Sequence, residues 1–133
     1  MECNLTVNFL KTARLALIAC EDEKLLHAFS GFLLSQSQSL YEISYATPQE
    51  VSQKLTALIG EEDGNAFLSI QCDSYHKLRS IYFYIPENLK SDIQIFVLRY
   101  HESGVKLECE LGTRQGKYIL FDYDGAAQFK ERE

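Results

Sequence analysis

The chain has 133 residues, of which 46% are hydrophobic and 24% are charged, and its formal net charge is −6. This composition is typical of a globular protein and excludes a disordered or fibrous chain. The length fits one domain, and no repeat or Pro- or Gly-rich linker divides the chain, so we predict a single domain over residues 1–133. No basic patch offsets the acidic charge, which argues against a nucleic-acid or membrane partner.

Cysteine spacing and the length of the apolar runs bear on location. Widely spaced thiols without a C-x-x-C pair indicate neither a zinc knuckle nor a disulfide scaffold, and the four are Cys3, Cys20, Cys72 and Cys109. No apolar run reaches the roughly 18 residues of a membrane span, and the run before Cys20 is too short for a secretion signal. We therefore expect free thiols and a cytoplasmic location.

Hydrophobic periodicity changes along the first third of the chain. Apolar and polar residues alternate from Cys3 to Phe9, which predicts a first strand. From Thr12 to Ser35 the apolar residues recur every three or four positions, and Asp22 interrupts that stripe. The segment fits one bent helix, two helices, or a strand followed by a helix.

The next two elements follow the polar run SQSQS. Leu40 to Tyr45 alternates and predicts a strand. Thr47-Pro48-Gln49-Glu50 places a hydroxyl at the N-cap, a proline at the first helical position and a carboxylate at N3, the pattern of a capping box. A helix is predicted from there, with Gly60 in the left-handed position at its C-terminus.

The second half of the chain predicts strands separated by short polar connections. The five segments are Ala66 to Cys72, Ile81 to Ile85, Ile93 to Tyr100, Val105 to Leu111 and Lys117 to Tyr123. The loops ESG after His101 and GTRQG from Gly112 to Gly116 are of hairpin size, with glycines where positive φ is expected.

This order predicts an α+β domain with N-terminal helices packed on one face of a curved, mainly antiparallel sheet of about five to six strands. In element order and length the chain resembles the cone-shaped nuclear-transport-factor-like fold. That resemblance implies a cone-like arrangement but no function, because such domains include enzymes, ligand sensors and dimerising adaptors.

An acidic cluster, Glu21 to Glu23, separates an apolar run from a helix-like one. The stretch from Leu15 to Leu55 resembles the first half of a phosphoacceptor receiver domain, in which acidic residues at the end of the first strand hold magnesium. Asp73 would then be the acceptor, but a strand expected soon after it leaves no room for the required helix. We therefore interpret the cluster as the solvated edge of a helix.

Two other groups of residues have the chemical types of a metal site or a catalytic site. Three residues of the types that bind zinc lie three and four positions apart, namely Cys20, Glu23 and His27. One helix face supplies only part of a zinc site. Cys72 and His76 share one loop, although a nucleophile and its base are recognised by geometry and not by proximity in sequence. Neither His76 nor His101 completes the zinc set. We predict no metal, no cofactor and no catalytic residue, and the sequence favours a non-enzymatic protein.

One face of the predicted sheet is polar. Glu108 and Glu110 alternate with apolar residues along their strand. Tyrosine has an apolar body and a polar tip, which suits a binding surface. We predict that this surface consists of Tyr82, Tyr84, Glu108, Glu110, Tyr118 and Asp122. The alternative is that the tyrosines only border the core.

These features favour a small acidic cytosolic protein-binding module, acting as an antitoxin-like inhibitor, an immunity protein or a dedicated chaperone. Its partner would be another protein, and a basic protein such as a nuclease toxin would complement the acidic face. A homodimer is an alternative. The alternative is a small-molecule-binding or catalytic cone-shaped domain with a pocket between helices and sheet.

Overall fold

A computed structural model of the chain describes residues 5–61, 63–102, 104–125 and 128–132. Helices and strands alternate up to the fourth strand, and strands alone follow. In chain order the elements are α1 (Leu5–Leu10), β1 (Leu15–Cys20), α2 (Glu23–Ser35), β2 (Tyr41–Ile43), α3 (Pro48–Glu61), β3 (Ala66–Gln71), α4 (Tyr75–Phe83), a 3-10 helix (Glu87–Asp92), β4 (Ile93–His101), β5 (Gly104–Leu111), β6 (Tyr118–Tyr123) and β7 (Phe129–Arg132).

The strands form one mixed sheet of seven strands in the order β2-β3-β1-β4-β5-β6-β7. Strands β2, β3, β1 and β4 are parallel neighbours. From β4 onward the neighbours are antiparallel and follow one another directly in sequence. The predicted α+β class is confirmed. The sheet is open, and half of its strand pairs are parallel, because three helical crossovers join the first four strands.

Two hydrophobic cores lie on opposite faces of the sheet. Successive residues of β1 alternate between them, so that Ile18 packs with α1 and α2 while Leu17 packs with α3 and α4. All six residues of β1 are buried. A strand covered on both faces needs an unbroken apolar run, which is what LALIAC provides. Helices therefore cover both faces of the parallel half instead of the one face that was predicted, and the arrangement is not a cone.

The N-terminus of α3 has the predicted cap. The Thr47 hydroxyl accepts a hydrogen bond from the Glu50 amide at 3.2 Å and donates one to the Glu50 carboxylate at 2.9 Å. The prediction for Gly60 was wrong: α3 continues to Glu61, and the described glycines with positive φ lie elsewhere. Two of those glycines, Gly112 and Gly116, begin and end the GTRQG loop as predicted.

Two predicted strands are helices. Leu5–Leu10 is helical where Cys3 to Phe9 was predicted as a strand, with Cys3 outside the described residues. Ile81 to Ile85 was predicted as a strand, but its first three residues end α4, which buries Leu78 and Ile81 against the second core. A short apolar run fits both the two-residue period of a strand and the helical period of about 3.6 residues. Here the helix is the form that buries the apolar side chains against the core. For Thr12 to Ser35, the alternative of a strand followed by a helix is the observed one.

Candidate functional site

The strand order creates a crevice where β1 and β3 end. Strand β1 leads into α2 on one face of the sheet, and its neighbour β3 leads into α4 on the opposite face. In open sheets with parallel strands, helices that leave neighbouring strands in opposite directions open a crevice at the carboxyl ends of those strands, and ligands commonly bind there. The β1–β3 pair is such a switch point.

This crevice has a volume of about 320 Å³. A volume of about 300 Å³ is the lower end of the range for small-molecule sites, so only a small ligand fits. The walls come from the β1–α2 connection, the β3–α4 connection and the end of β4. The lining side chains with functional groups are Cys20, Glu21, Asp22, Cys72, Asp73, Ser74, Tyr75, Arg99 and Tyr100.

The acidic cluster lies at the start of α2. The Asp22 Oδ1 atom accepts hydrogen bonds from the amides of Lys24 at 2.9 Å and Leu25 at 3.3 Å, which makes Asp22 the N-cap. Desolvation, and then the charge and hydrogen-bonding oxygen of Asp22, raise the pKa of Tyr100. Glu21 and Glu23 are exposed. One carboxylate therefore caps the helix and contacts a tyrosine of β4, while its two neighbours remain in solvent.

Asp73 follows β3 and lies two residues before α4. Its carboxylate pairs with the Lys77 ammonium at 3.1 Å, and this hydrogen bond lowers the pKa of Asp73 and raises that of Lys77. A helix does follow Asp73, contrary to the prediction. The strand order still differs from a receiver-like sheet, because β2 pairs with β3, whereas the flavodoxin-like order places the second strand beside the first.

Arg99 supplies the positive charge of the crevice. Among the described residues that line it, Arg99 is the only lysine or arginine. Its guanidinium forms an ion pair with Glu110 of β5, and the Arg99 side chain is about half exposed. Desolvation raises the pKa of Glu110, and the neighbouring Arg99 charge opposes that rise. Glu110 therefore holds the Arg99 guanidinium in an ion pair, and about half of the Arg99 side chain remains exposed.

Cys20 and Cys72, the two described thiols that line the crevice, have no described hydrogen bond to a general base. Burial raises the pKa of Cys20 to about 11, and its Sγ donates to the Asp22 carbonyl at 3.3 Å. Cys72 donates to the Ser74 carbonyl at 3.5 Å, and no hydrogen bond to His76 is described. Within the described part of the chain, no three histidine, cysteine or acidic residues can hold a metal ion together, which includes the Cys20, Glu23 and His27 set.

Four of the six predicted binding residues lie on β5 and β6. Glu108 is the register partner of Tyr118, and Asp122 lies opposite Gly104, so their side chains share one sheet face with Glu110. Cations neutralise this face. Lys106 pairs with Glu108 at 3.1 Å and lies over the Tyr118 ring at 5.4 Å, Arg99 pairs with Glu110, and Arg132 pairs with Asp122 at 2.8 Å.

The other two predicted binding residues, Tyr82 and Tyr84, belong to α4 and its C-cap. Tyr82 packs against the second core, and its hydroxyl donates to the Lys90 carbonyl at 3.5 Å. Tyr84 is exposed. Residues two apart on a helix face different directions, so the strand alternation that grouped them does not apply.

Of the outer surface of α4, the sequence pattern identified only Tyr84, and it placed that residue on a strand. Tyr75, Arg79 and Phe83 are spaced four apart and form one outward row, and Tyr84 follows directly. Phe83 is 75% exposed, Tyr84 48% and Tyr75 43%. The Arg79 guanidinium lies over the Tyr75 ring at 5.7 Å, and the Phe83 and Tyr84 rings are 5.5 Å apart. We call these four residues the aromatic face of α4.

The sequence matches no protein-family model, and no curated protein has significant sequence similarity to it. Within the described ranges, no helix combines the length and apolarity needed to cross a membrane. Functional inference therefore starts from two geometric features, the crevice and the aromatic face of α4.

Proposed function

We propose that the protein is a protein-binding module and that the aromatic face of α4 is its contact surface. The observation that carries this proposal is the row of exposed aromatic side chains, with Phe83 75% exposed. Single exposed apolar residues are common, but contiguous ones mark interaction sites. Tyrosine and arginine are also the residue types that dominate binding energy at protein interfaces.

Local charge indicates the chemistry of the partner. The helix carries His76, Lys77 and Arg79 and no acidic residue, although the whole chain has a net charge of −6. Lys77 is paired with Asp73, so Arg79 is the main cation beside the aromatic rings. An apolar pocket rimmed by carboxylates would complement this face. A partner of this kind differs from the basic protein expected from Glu108 and Glu110.

We propose that the protein acts in one of the functional classes that the sequence favours. An inhibitor, an immunity protein and a dedicated chaperone each need one stable contact surface, and the aromatic face of α4 is a candidate for it. We also propose a cytoplasmic location, supported by the free thiols at Cys20, Cys72 and Cys109. No disulfide joins these three cysteines.

The test compares partner binding by matched variants. Wild-type protein and the Phe83→Ala/Tyr84→Ala variant are used to purify partners from native cells, and Leu34→Ala serves as the control because Leu34 is 67% exposed on another helix. A stoichiometric partner is then purified and its binding kinetics are measured. We expect the double variant to lose about 2 kcal/mol of binding free energy, roughly 30-fold in Kd, mostly through faster dissociation.

Two outcomes would contradict the proposal. A partner that binds the double variant as tightly as wild type would place the interface elsewhere. If Glu108→Lys with Glu110→Lys slows association while Phe83→Ala/Tyr84→Ala has no effect, the sheet face is the interface. Sedimentation of the purified protein identifies a second copy as the partner if self-association is lost in the same α4 variant.

A further inference from the structure

We propose that the crevice between β1 and β3 binds a small zwitterion of the α-amino acid class. The ligand carboxylate would bind Arg99, and the ligand ammonium would bind the carboxylates of Glu21 and Asp22. The crevice shares Tyr75 with the aromatic face of α4, but this proposal does not depend on partner binding there.

Charge distribution in the crevice is the first argument. Glu21 and Asp22 lie on the β1–α2 wall, and Arg99 lies on the β4 wall. Asp73, on the β3–α4 wall, is paired with Lys77. A monoanion would be repelled by the first wall, and a monocation would leave the Arg99 guanidinium without a ligand group. A ligand that carries both charges satisfies both walls, and repulsion of the wrong partner is a main source of specificity.

Arg99 retains free hydrogen-bonding capacity. A guanidinium has five N–H donors in a planar fork, and the ion pair with Glu110 uses one terminal nitrogen. The fork geometry suits a carboxylate, which it binds through two parallel hydrogen bonds. Glu110, whose side chain is 16% exposed, holds the guanidinium through this ion pair and acts as a positioning residue.

The size and base of the crevice restrict the ligand further. About 320 Å³ lies at the lower end of the range for small-molecule sites and accommodates a single amino acid. Apolar residues of the lining offer a surface for a small side chain, and these are Ala19, Leu25, Leu78, Val97 and Leu98. Hydroxyls of Ser74 and Tyr75 line the third wall and can bond a polar ligand atom.

The test uses ligands that differ by one charge. Binding of each proteinogenic L-amino acid is measured by calorimetry and thermal shift at up to about 5 mM. Every amino acid that binds is compared with its amine, which lacks the carboxylate, and with its acid, which lacks the amino group. We expect at least one amino acid to bind and both analogues to bind at least about tenfold more weakly.

Variants locate the site. Arg99→Gln and Glu21→Gln should each weaken amino-acid binding about tenfold or more, whereas Arg132→Gln, which removes an ion-paired arginine outside the crevice, should not. Folding is checked by circular dichroism. The proposal is overturned if no amino acid binds, if an analogue binds equally well, or if Arg99→Gln and Glu21→Gln leave binding unchanged. Phe83→Ala should leave it unchanged, which separates this test from that of the α4 surface.

Discussion

Asp22 is a single residue that belongs to both the fold and the candidate ligand site. It caps α2 and contacts Tyr100. In the sequence, a carboxylate within an apolar stripe indicated a restart of the chain, and the structure places the end of β1 and the start of α2 on either side of it. The position of Asp22 in a crevice that Arg99 also lines could not be predicted, because it depends on strand order and not on local pattern.

Thiol reactivity is a prediction at the same scale. Burial raises the pKa of Cys20 and of Cys109 to about 11, from an ordinary value of 9.0. At pH 8 their thiolate fraction should therefore be about one hundredth of that of an ordinary thiol. In a Cys3→Ser background we expect iodoacetamide to label Cys72 first, as followed by mass spectrometry. Equal labelling rates for the three thiols would contradict this.

The same pKa shifts predict the alkaline stability. The folded chain holds the two thiol protons more tightly than the unfolded chain does, so the stabilisation is fully present below pH 9 and is lost as the pH rises toward about 11. Urea unfolding across this range should show a decreasing free energy of unfolding. The decrease should be smaller in Cys20→Ala/Cys109→Ala.

Elements that are specified by neighbouring residues could be predicted from the sequence, whereas elements that depend on long-range packing could not. The Thr47–Glu50 cap is encoded within four residues, and it predicted α3 correctly. The sequence did not predict strand β7, because the contacts that stabilise its four residues come from other elements. Phe129 packs against Phe29 at 5.5 Å and Phe121 at 5.6 Å between ring centroids. Helix α4 was missed because its aromatic and β-branched C-terminal residues favour strand in isolation.

Two glycines give a prediction at the element scale. A Cβ atom at Gly104 would lie 2.1 Å from the Phe121 carbonyl oxygen, so β5 and β6 can approach only without a side chain there. We expect Gly104→Ala to lower the free energy of unfolding by at least about 2 kcal/mol. Gly60→Ala has open space in a helix and should raise it by about 0.5–1 kcal/mol. Urea unfolding measures both changes. If Gly60→Ala destabilises the protein instead, Gly60 has the left-handed conformation that the sequence predicted.

At the scale of the whole molecule, a contact far apart in sequence joins the first and last described elements. The Glu131 carboxylate of β7 accepts hydrogen bonds from the amide of Thr6, at 2.6 Å, and from its hydroxyl. This contact could not be predicted, since no local pattern relates residues so distant in sequence. The first-turn amides of a helix lack acceptors within the helix, and here Glu131 supplies one for Thr6. This contact helps to explain why α1 is helical in a segment whose two-residue period suggested a strand.

Removing this carboxylate should weaken both elements. We expect Glu131→Gln to lower the free energy of unfolding by about 1.5–3 kcal/mol, because a hydrogen bond to a charged group is lost. Amide hydrogen exchange should quicken in α1 and β7 together. Glu61→Gln, at an exposed carboxylate on α3, is the control. If exchange quickens in β7 alone, α1 does not depend on Glu131.

Strand β4 belongs to both halves of the sheet, which has a consequence for the order of folding. Its antiparallel partner β5 follows it directly in the chain, whereas its parallel partner β1 is separated from it by most of the N-terminal half. Closing a short loop costs less entropy than closing a long one. The C-terminal meander should therefore form early and expose one edge of β4, to which β1 is added later. The crevice needs β1, β3 and β4 in place, so it should be completed last in folding and open first in partial unfolding.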